Sequence, residues 1–180
     1  MTEETLFFDT DCISAFLWID DTSIVTKLYK NRIAIPIQVY NELADCRGQA
    51  SVLKERIDVM VQRKQAVIVD METSSKEYEL YSELALIPPE GEMVIGRGEA
   101  SCIALAKERN GILASNNFRD TKKYIERYKL KYTTTADIIL EAYNKDLLTL
   151  EEAENMWQSM LEKRRRIGAQ SFREYLDQHQ

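Results

Sequence analysis

Short apolar runs alternate along this chain with longer stretches in which apolar residues recur at helical spacing. The first run, Leu6–Asp9, predicts a buried strand that ends on a carboxylate. Cys12–Ile19 and Ser23–Tyr29 follow as helices, parted by the polar Asp20-Asp21-Thr22. Ile33–Pro36 is a second apolar run, and its proline suits the first turn of a helix over Ile37–Cys46. A helix over Ser51–Arg63, a β-branched strand over Ala66–Val69 and a helix over Lys76–Leu86 come next. Pro88-Pro89-Glu90-Gly91 then breaks the chain. Glu99–Arg109 reads as a helix, with Ala100, Ile103, Ala104 and Ala106 on one face. Strands over Gly111–Ser115 and Lys131–Thr134 flank a helix over Asp120–Tyr128. Helices over Ala136–Tyr143, Leu150–Arg164 and Ser171–Asp177 complete the pattern. This alternation predicts an α/β fold with a mainly parallel central sheet flanked by helices. Residues 1–147 carry every strand. Residues 148–180 form a C-terminal helical extension, expected to pack on that domain or to bind a partner.

The composition changes the picture little. At 180 residues the chain is most simply one domain with a sizeable core, and its 44% hydrophobic and 30% charged residues suit a globular protein. No apolar stretch is long enough to span a membrane. The acidic start MTEETLFF lacks the basic segment of a signal peptide. Cys12, Cys46 and Cys102 are far apart and odd in number, so reduced thiols in the cytoplasm are the expectation. A net charge of −6 argues against a general coat for duplex DNA. It leaves room for a nuclease, whose metal centre is itself acidic.

Ligands of such sheets sit beyond the carboxyl ends of the strands. Two strand ends stand out, Asp9 and Ser115-Asn116-Asn117. Asp9-Thr10-Asp11 suits a helix N-cap. A carboxylate directly after Phe8, inside a hydrophobic edge, is costly unless metal or hydrogen bonds satisfy it. Several chemistries fall away. The single histidine, His179, lies next to the end, which leaves no Ser-His-Asp or Cys-His arrangement and no Cys/His zinc site. Gly91–Gly98 has glycines like a phosphate loop, but Arg97 and Gly98 stand where Lys and Ser/Thr are needed. Asp9-x-Asp11 and Leu113-Ala-Ser-Asn116 are faintly similar to two motifs of haloacid-dehalogenase-type phosphatases, yet the strand-end acidic pair of that family is missing.

Read together, Phe8-Asp9-Thr-Asp11, Glu42 in Pro36-Ile-Gln-Val-Tyr-Asn-Glu42-Leu43, Gly96-Arg-Gly-Glu99-Ala-Ser-Cys-Ile-Ala-Leu-Ala106 and Ile112-Leu-Ala-Ser-Asn116-Asn117 resemble, in order and spacing, the PIN-domain nucleases. VapC-type toxins belong to that family. The resemblance covers roughly residues 5 to 145, and the Gly-x-Gly-Glu-Ala segment is its most specific part. It implies a PIN-like three-layer fold and a ribonuclease using Mg²⁺ or Mn²⁺ held by clustered carboxylates. Carried over by position, Asp9, Glu42, Glu99 and Asn116 become the catalytic set. Asp9, Glu99, Asn116 and Asp120 become the metal-ligand candidates. Asn116 departs from the family, which usually carries aspartate there, and Asp120, one helical turn on, is a candidate replacement.

Each of these residues also has a plainer reading. Glu42 suits a solvated helix face, Glu99 a favourable charge at a helix N-terminus, and Asp120 a helix cap. Arg97, Asn117, Lys122 and Lys123 are candidate substrate contacts. Two basic clusters stand near aromatic residues or helix ends. Lys122, Lys123, Arg127, Lys129 and Lys131 are interleaved with Tyr124, Tyr128 and Tyr132, and Lys163-Arg164-Arg165-Arg166 lies in the tail. They suit a nucleic-acid backbone, a solvated face, an acidic partner or a second subunit. The functional expectation is a metal-dependent endoribonuclease acting on RNA, with a toxin role, an antitoxin partner and a homodimer as its setting. The alternative is a catalytically weakened PIN fold that binds nucleic acid or protein.

Overall fold

A computed structural model describes residues 3–179. Met1 and Thr2 of the acidic start, and Gln180 at the tail's end, lie outside the described residues. The first half runs β1 (Leu6–Phe8), α1 (Thr10–Trp18), α2 (Ser23–Leu28), β2 (Ile33–Pro36) and α3 (Ile37–Ala44). A short 3-10 turn (Gly48–Ser51) then leads into α4 (Val52–Gln62), β3 (Val67–Val69) and α5 (Lys76–Ala85). The second half runs α6 (Arg97–Glu108), β4 (Ile112–Ala114), α7 (Phe118–Tyr128), β5 (Lys131–Thr133), α8 (Thr135–Asn144), α9 (Leu150–Glu162) and α10 (Phe172–Gln178).

The five strands form one sheet in the order β3-β2-β1-β4-β5, every pair parallel. Leu6, Phe7 and Phe8 are in register with Ile112, Leu113 and Ala114. The three central strands carry near-continuous apolar runs because both faces of the sheet are covered by helices. From β1 the chain builds outward through β2 to β3, then crosses back to add β4 and β5 on the other side. The switch in direction falls between β1 and β4, where open parallel sheets form their ligand crevice.

The strand expected over Ala66–Val69 forms as β3, at the edge of the sheet, with Val67 54% exposed. Its shortness limits the unpaired edge it offers. Helices α6 and α7 begin earlier than their apolar periodicity suggests, at Arg97 and Phe118. Neither opening pair, Arg97-Gly98 in α6 or the exposed Phe118-Arg119 in α7, extends the apolar stripe of its helix, so the periodicity starts late there.

The tail packs on the sheet domain. Trp157, Met160 and Phe172 are buried, and α9 and α10 lie against α8. Trp157 Nε1 donates to the Ala169 carbonyl at 3.1 Å, and Tyr175 Oη donates to Asp137 Oδ1 at 2.6 Å. Among the described residues no helix is long and apolar enough to cross a membrane.

Candidate active site

Asp9 follows directly on β1 and is 5% exposed. It caps α1, with Oδ1 accepting from the Cys12 N–H at 2.8 Å. Its Oδ2 accepts from the Ser115 hydroxyl, which stands at the end of β4. The helix cap anticipated from Asp9-Thr10-Asp11 is therefore Asp9 itself, and the carboxylate sits at the switch point. Burial pushes the Asp9 carboxyl up to about 7. The two hydrogen bonds offset part of that rise, and the charges of Asp11 and Glu42 add to it.

Glu42, on α3, reaches across to α6. Its Oε1 accepts from the Gly98 N–H at 2.9 Å, and its Oε2 accepts from the Thr10 hydroxyl. Gly96, the residue before α6, offers no side-chain cap, so a carboxylate from another helix satisfies one of the free N–H groups. Glycine at 98 is required for that approach. A Cβ there would lie 2.8 Å from both Glu42 carboxylate oxygens.

Glu99 lies one residue further along α6. Burial comes first among the causes that raise its carboxyl to about 7, followed by the charges of Asp9 and Asp120. The Asn117 amide offsets part of the rise. Its Oε1 is buried and has no hydrogen-bond partner. A carboxylate oxygen in that state is costly and suits a cation.

Asn116 is held elsewhere. Its Oδ1 accepts from the Thr135 N–H at 2.9 Å, and its Nδ2 donates to Thr135 Oγ1 at 2.9 Å and to the Asp11 carbonyl at 3.4 Å. The amide thus ties the end of β4 to the start of α8. Asp120 accepts from Asn117 Nδ2 at 2.8 Å.

Asp9 and Asn116 thus follow the carboxyl ends of β1 and β4, the Glu42 charge acts on Asp9 and the Asp120 charge on Glu99, while the Asn116 amide is tied to Thr135. Among the described residues, no three His, Cys, Asp or Glu side chains form a group that could hold a metal ion. The residues that best fit a divalent cation are Asp9 and Glu99, both raised in pKa, with oxygen donors only and one oxygen unsatisfied.

The basic candidates diverge. Lys123 sits 4.0 Å from Glu92 and 4.5 Å from the Tyr124 ring, and Lys122 3.9 Å from Glu126. Arg97 is exposed and makes no ion pair among the described residues. Sequence reasoning missed Ser115 as the partner of Asp9, Thr10 and Gly98 as partners of Glu42, and Thr135 as the anchor of Asn116. A serine or threonine beside a carboxylate carries no distinguishing sequence signal. The glycine of Gly-x-Gly-Glu was the one visible hint.

Compared with known families, residues 5–180 match the sequence model of a family described as a PIN domain. No curated protein matches the chain.

Proposed function

The chain belongs to the PIN-domain family, a nuclease-type fold, and on that premise we propose that it is a metal-dependent endoribonuclease. It hydrolyses phosphodiester bonds of RNA with Mg²⁺ or Mn²⁺. The observation that carries this reading is the acidic pair at the switch point, with Asp9 buried, Glu99 half-buried and Glu99 Oε1 unpartnered. Asp9 and Glu99 are the residues that would hold a divalent cation, which when bound would supply an activated water and charge stabilisation at the phosphate. The chain's own residues supply the frame. Ser115 and the Cys12 N–H fix the Asp9 carboxylate, and Glu42 secures the first turn of α6, which carries Glu99. Both acids must be ionised to act, so the cation and the protons compete for them.

The setting we propose is the cytoplasm, in keeping with three free cysteines, two of them buried. A role as the toxin of a toxin–antitoxin pair, with an antitoxin and a second copy of the chain as partners, extends the same reading. One observation favours a second reading, a PIN fold that binds nucleic acid or protein with little cleavage. Asn116 brings no charge, and its oxygen is engaged by Thr135.

The test is cleavage of RNA with Mn²⁺ or Mg²⁺, with and without chelator. Asp9→Asn is the control. Asparagine caps helices as well as aspartate, so the variant keeps its fold. The expected result is metal-dependent cleavage by the wild type and its loss in the folded variant. Equal cleavage by both would remove Asp9 from the centre, and no cleavage by the wild type would favour the binding module.

A further inference from the structure

The arginines of the tail share a cleft with residues that follow the strand ends. The cleft, of about 590 Å³, is lined by Asp11, the 116–120 segment and Arg164, Arg165 and Arg166. These arginines are distant in sequence from the strand ends, and they reach the cleft because α9 and α10 are pinned by Trp157, Phe172 and Tyr175. The turn between the two helices is locally defined. Arg164 takes φ 58°, Arg164 N–H donates to the Leu161 carbonyl at 2.8 Å, and Arg165 N–H donates to the Met160 carbonyl at 3.0 Å. That is the Schellman pattern for ending a helix. The Arg165 guanidinium lies 5.7 Å from the centre of the Trp18 ring, which anchors the turn against α1. Arg164 and Arg166 are exposed and, like Arg119 in the same cleft, have no carboxylate partner among the described residues.

A second, smaller cavity of about 250 Å³ adjoins the first and shares Asn116, Phe118 and Arg166 with it. It is lined by aromatic rings, among them Phe118, Tyr132 and Tyr175. Phe118 and Tyr132 stack at 5.4 Å and stay 41% and 43% exposed. An exposed aromatic pair next to unpaired guanidinium groups has the chemistry of a polynucleotide strand, whose phosphates need cations and whose bases need flat apolar faces. An acidic protein segment would use the arginines and leave the rings without a purpose.

We propose that the Arg164–Arg166 turn is a phosphate-binding wall of the active-site cleft, and that the Phe118–Tyr132 pocket beside it receives an unpaired base of the same strand. This rests on the nuclease reading for the substrate class. The wall and pocket together set which length of strand is held next to Asp9 and Glu99.

Binding in chelator separates the wall from catalysis. The probes are a labelled short oligo-uridylate, an abasic oligomer of the same length and poly-glutamate, followed by anisotropy over a salt series. Arg164→Ala with Arg166→Ala should weaken both nucleic-acid probes about tenfold and lower the salt slope by about 1.4, roughly 0.7 for each phosphate of a single strand left without its arginine. Arg164→Lys with Arg166→Lys should keep most of the affinity, and melting curves check that the variants fold. Phe118→Ala with Tyr132→Ala should weaken the uridylate about fivefold or more and leave the abasic oligomer unchanged. Unchanged affinity and slope in the arginine variant would overturn the wall. Equal weakening of both oligomers by the aromatic variant would overturn the base pocket. Loss of poly-glutamate binding alone would assign the turn to an acidic protein and overturn the proposal. Wild-type cleavage with Mn²⁺ is read in parallel. A chain that binds through the wall and does not cleave would remove the nuclease reading and leave the wall standing.

Discussion

Asn116 faces two demands that an aspartate could not meet in the same way. Its amide donates to Thr135 Oγ1 and accepts from the Thr135 N–H, which satisfies the start of α8 without adding charge beside Asp9, Glu99 and Asp11. Asn116→Asp keeps the acceptor and adds a negative charge. Without metal the variant should melt lower, because like charges crowd together. With Mn²⁺ it should bind more tightly. A tenfold gain in affinity adds about 1.4 kcal/mol of linkage stabilisation, or roughly 3–5 °C for a chain of this size. Melting curves with and without Mn²⁺ measure that difference. A metal-induced shift equal to the wild type's would place residue 116 outside the metal's reach. Gly98 is governed by space. Gly98→Ala forces the Glu42 carboxylate, the free end of a flexible side chain, away from the α6 N-terminus, and the lost hydrogen bond to that charged group costs about 1–3 kcal/mol. Chemical denaturation would record it, and Glu42→Ala should cost less in that background than in the wild type, because the hydrogen bond is already gone.

At the scale of elements, the legible parts were those whose signals are local. Every predicted strand and helix has a counterpart, and Asp9 and Glu99 were visible because a carboxylate after Phe8, or after Gly-x-Gly, sits where a strand ends or a helix begins. The rest depends on distance along the chain. Ser115 meets Asp9 across 106 positions, and no periodicity encodes such a meeting. The arginine run was readable as charge but not as the wall of a cleft, since its place follows from how α9 and α10 pack. That packing has a testable centre in Trp157, buried and tied to Ala169. Trp157→Ala should cost about 3–5 kcal/mol, as large core truncations do. The α9–α10 turn should become a site of early proteolysis, with cleavage near Arg164 preceding cleavage of the sheet domain. Resistance of the turn equal to the wild type's would mean that other contacts hold the tail.

For the whole molecule, the decisive variable is pH. Asp9 and Glu99 both titrate near 7 in the folded chain, against 3.8 and 4.5 for the free groups. A carboxyl raised on folding contributes stability that is present below its unfolded value and is lost as pH rises through its folded value. The metal-free protein should therefore lose stability from these two groups between about pH 4 and pH 7. Asp58, Glu77, Glu92 and Glu141, which are ion-paired, and Glu152, hydrogen-bonded by Thr149 at the α9 cap, are held below their usual values and act in the opposite sense, with their contribution lost at lower pH. The two effects occupy different windows, so a comparison with Asp9→Asn isolates the site. In chelator the wild type should fall relative to the variant as pH rises from 5 to 8, since the variant has no charge to expose at position 9. A divalent cation reverses the balance, because it binds the ionised pair and competes with protons. Mn²⁺ should stabilise the wild type more at pH 8 than at pH 5, and the variant much less at either. Calorimetric scans at the two pH values, with chelator and with Mn²⁺, give four melting temperatures for each protein. If the difference between wild type and variant were the same in all four conditions, Asp9 would not be titrating in this range and the cation would not be bound through it.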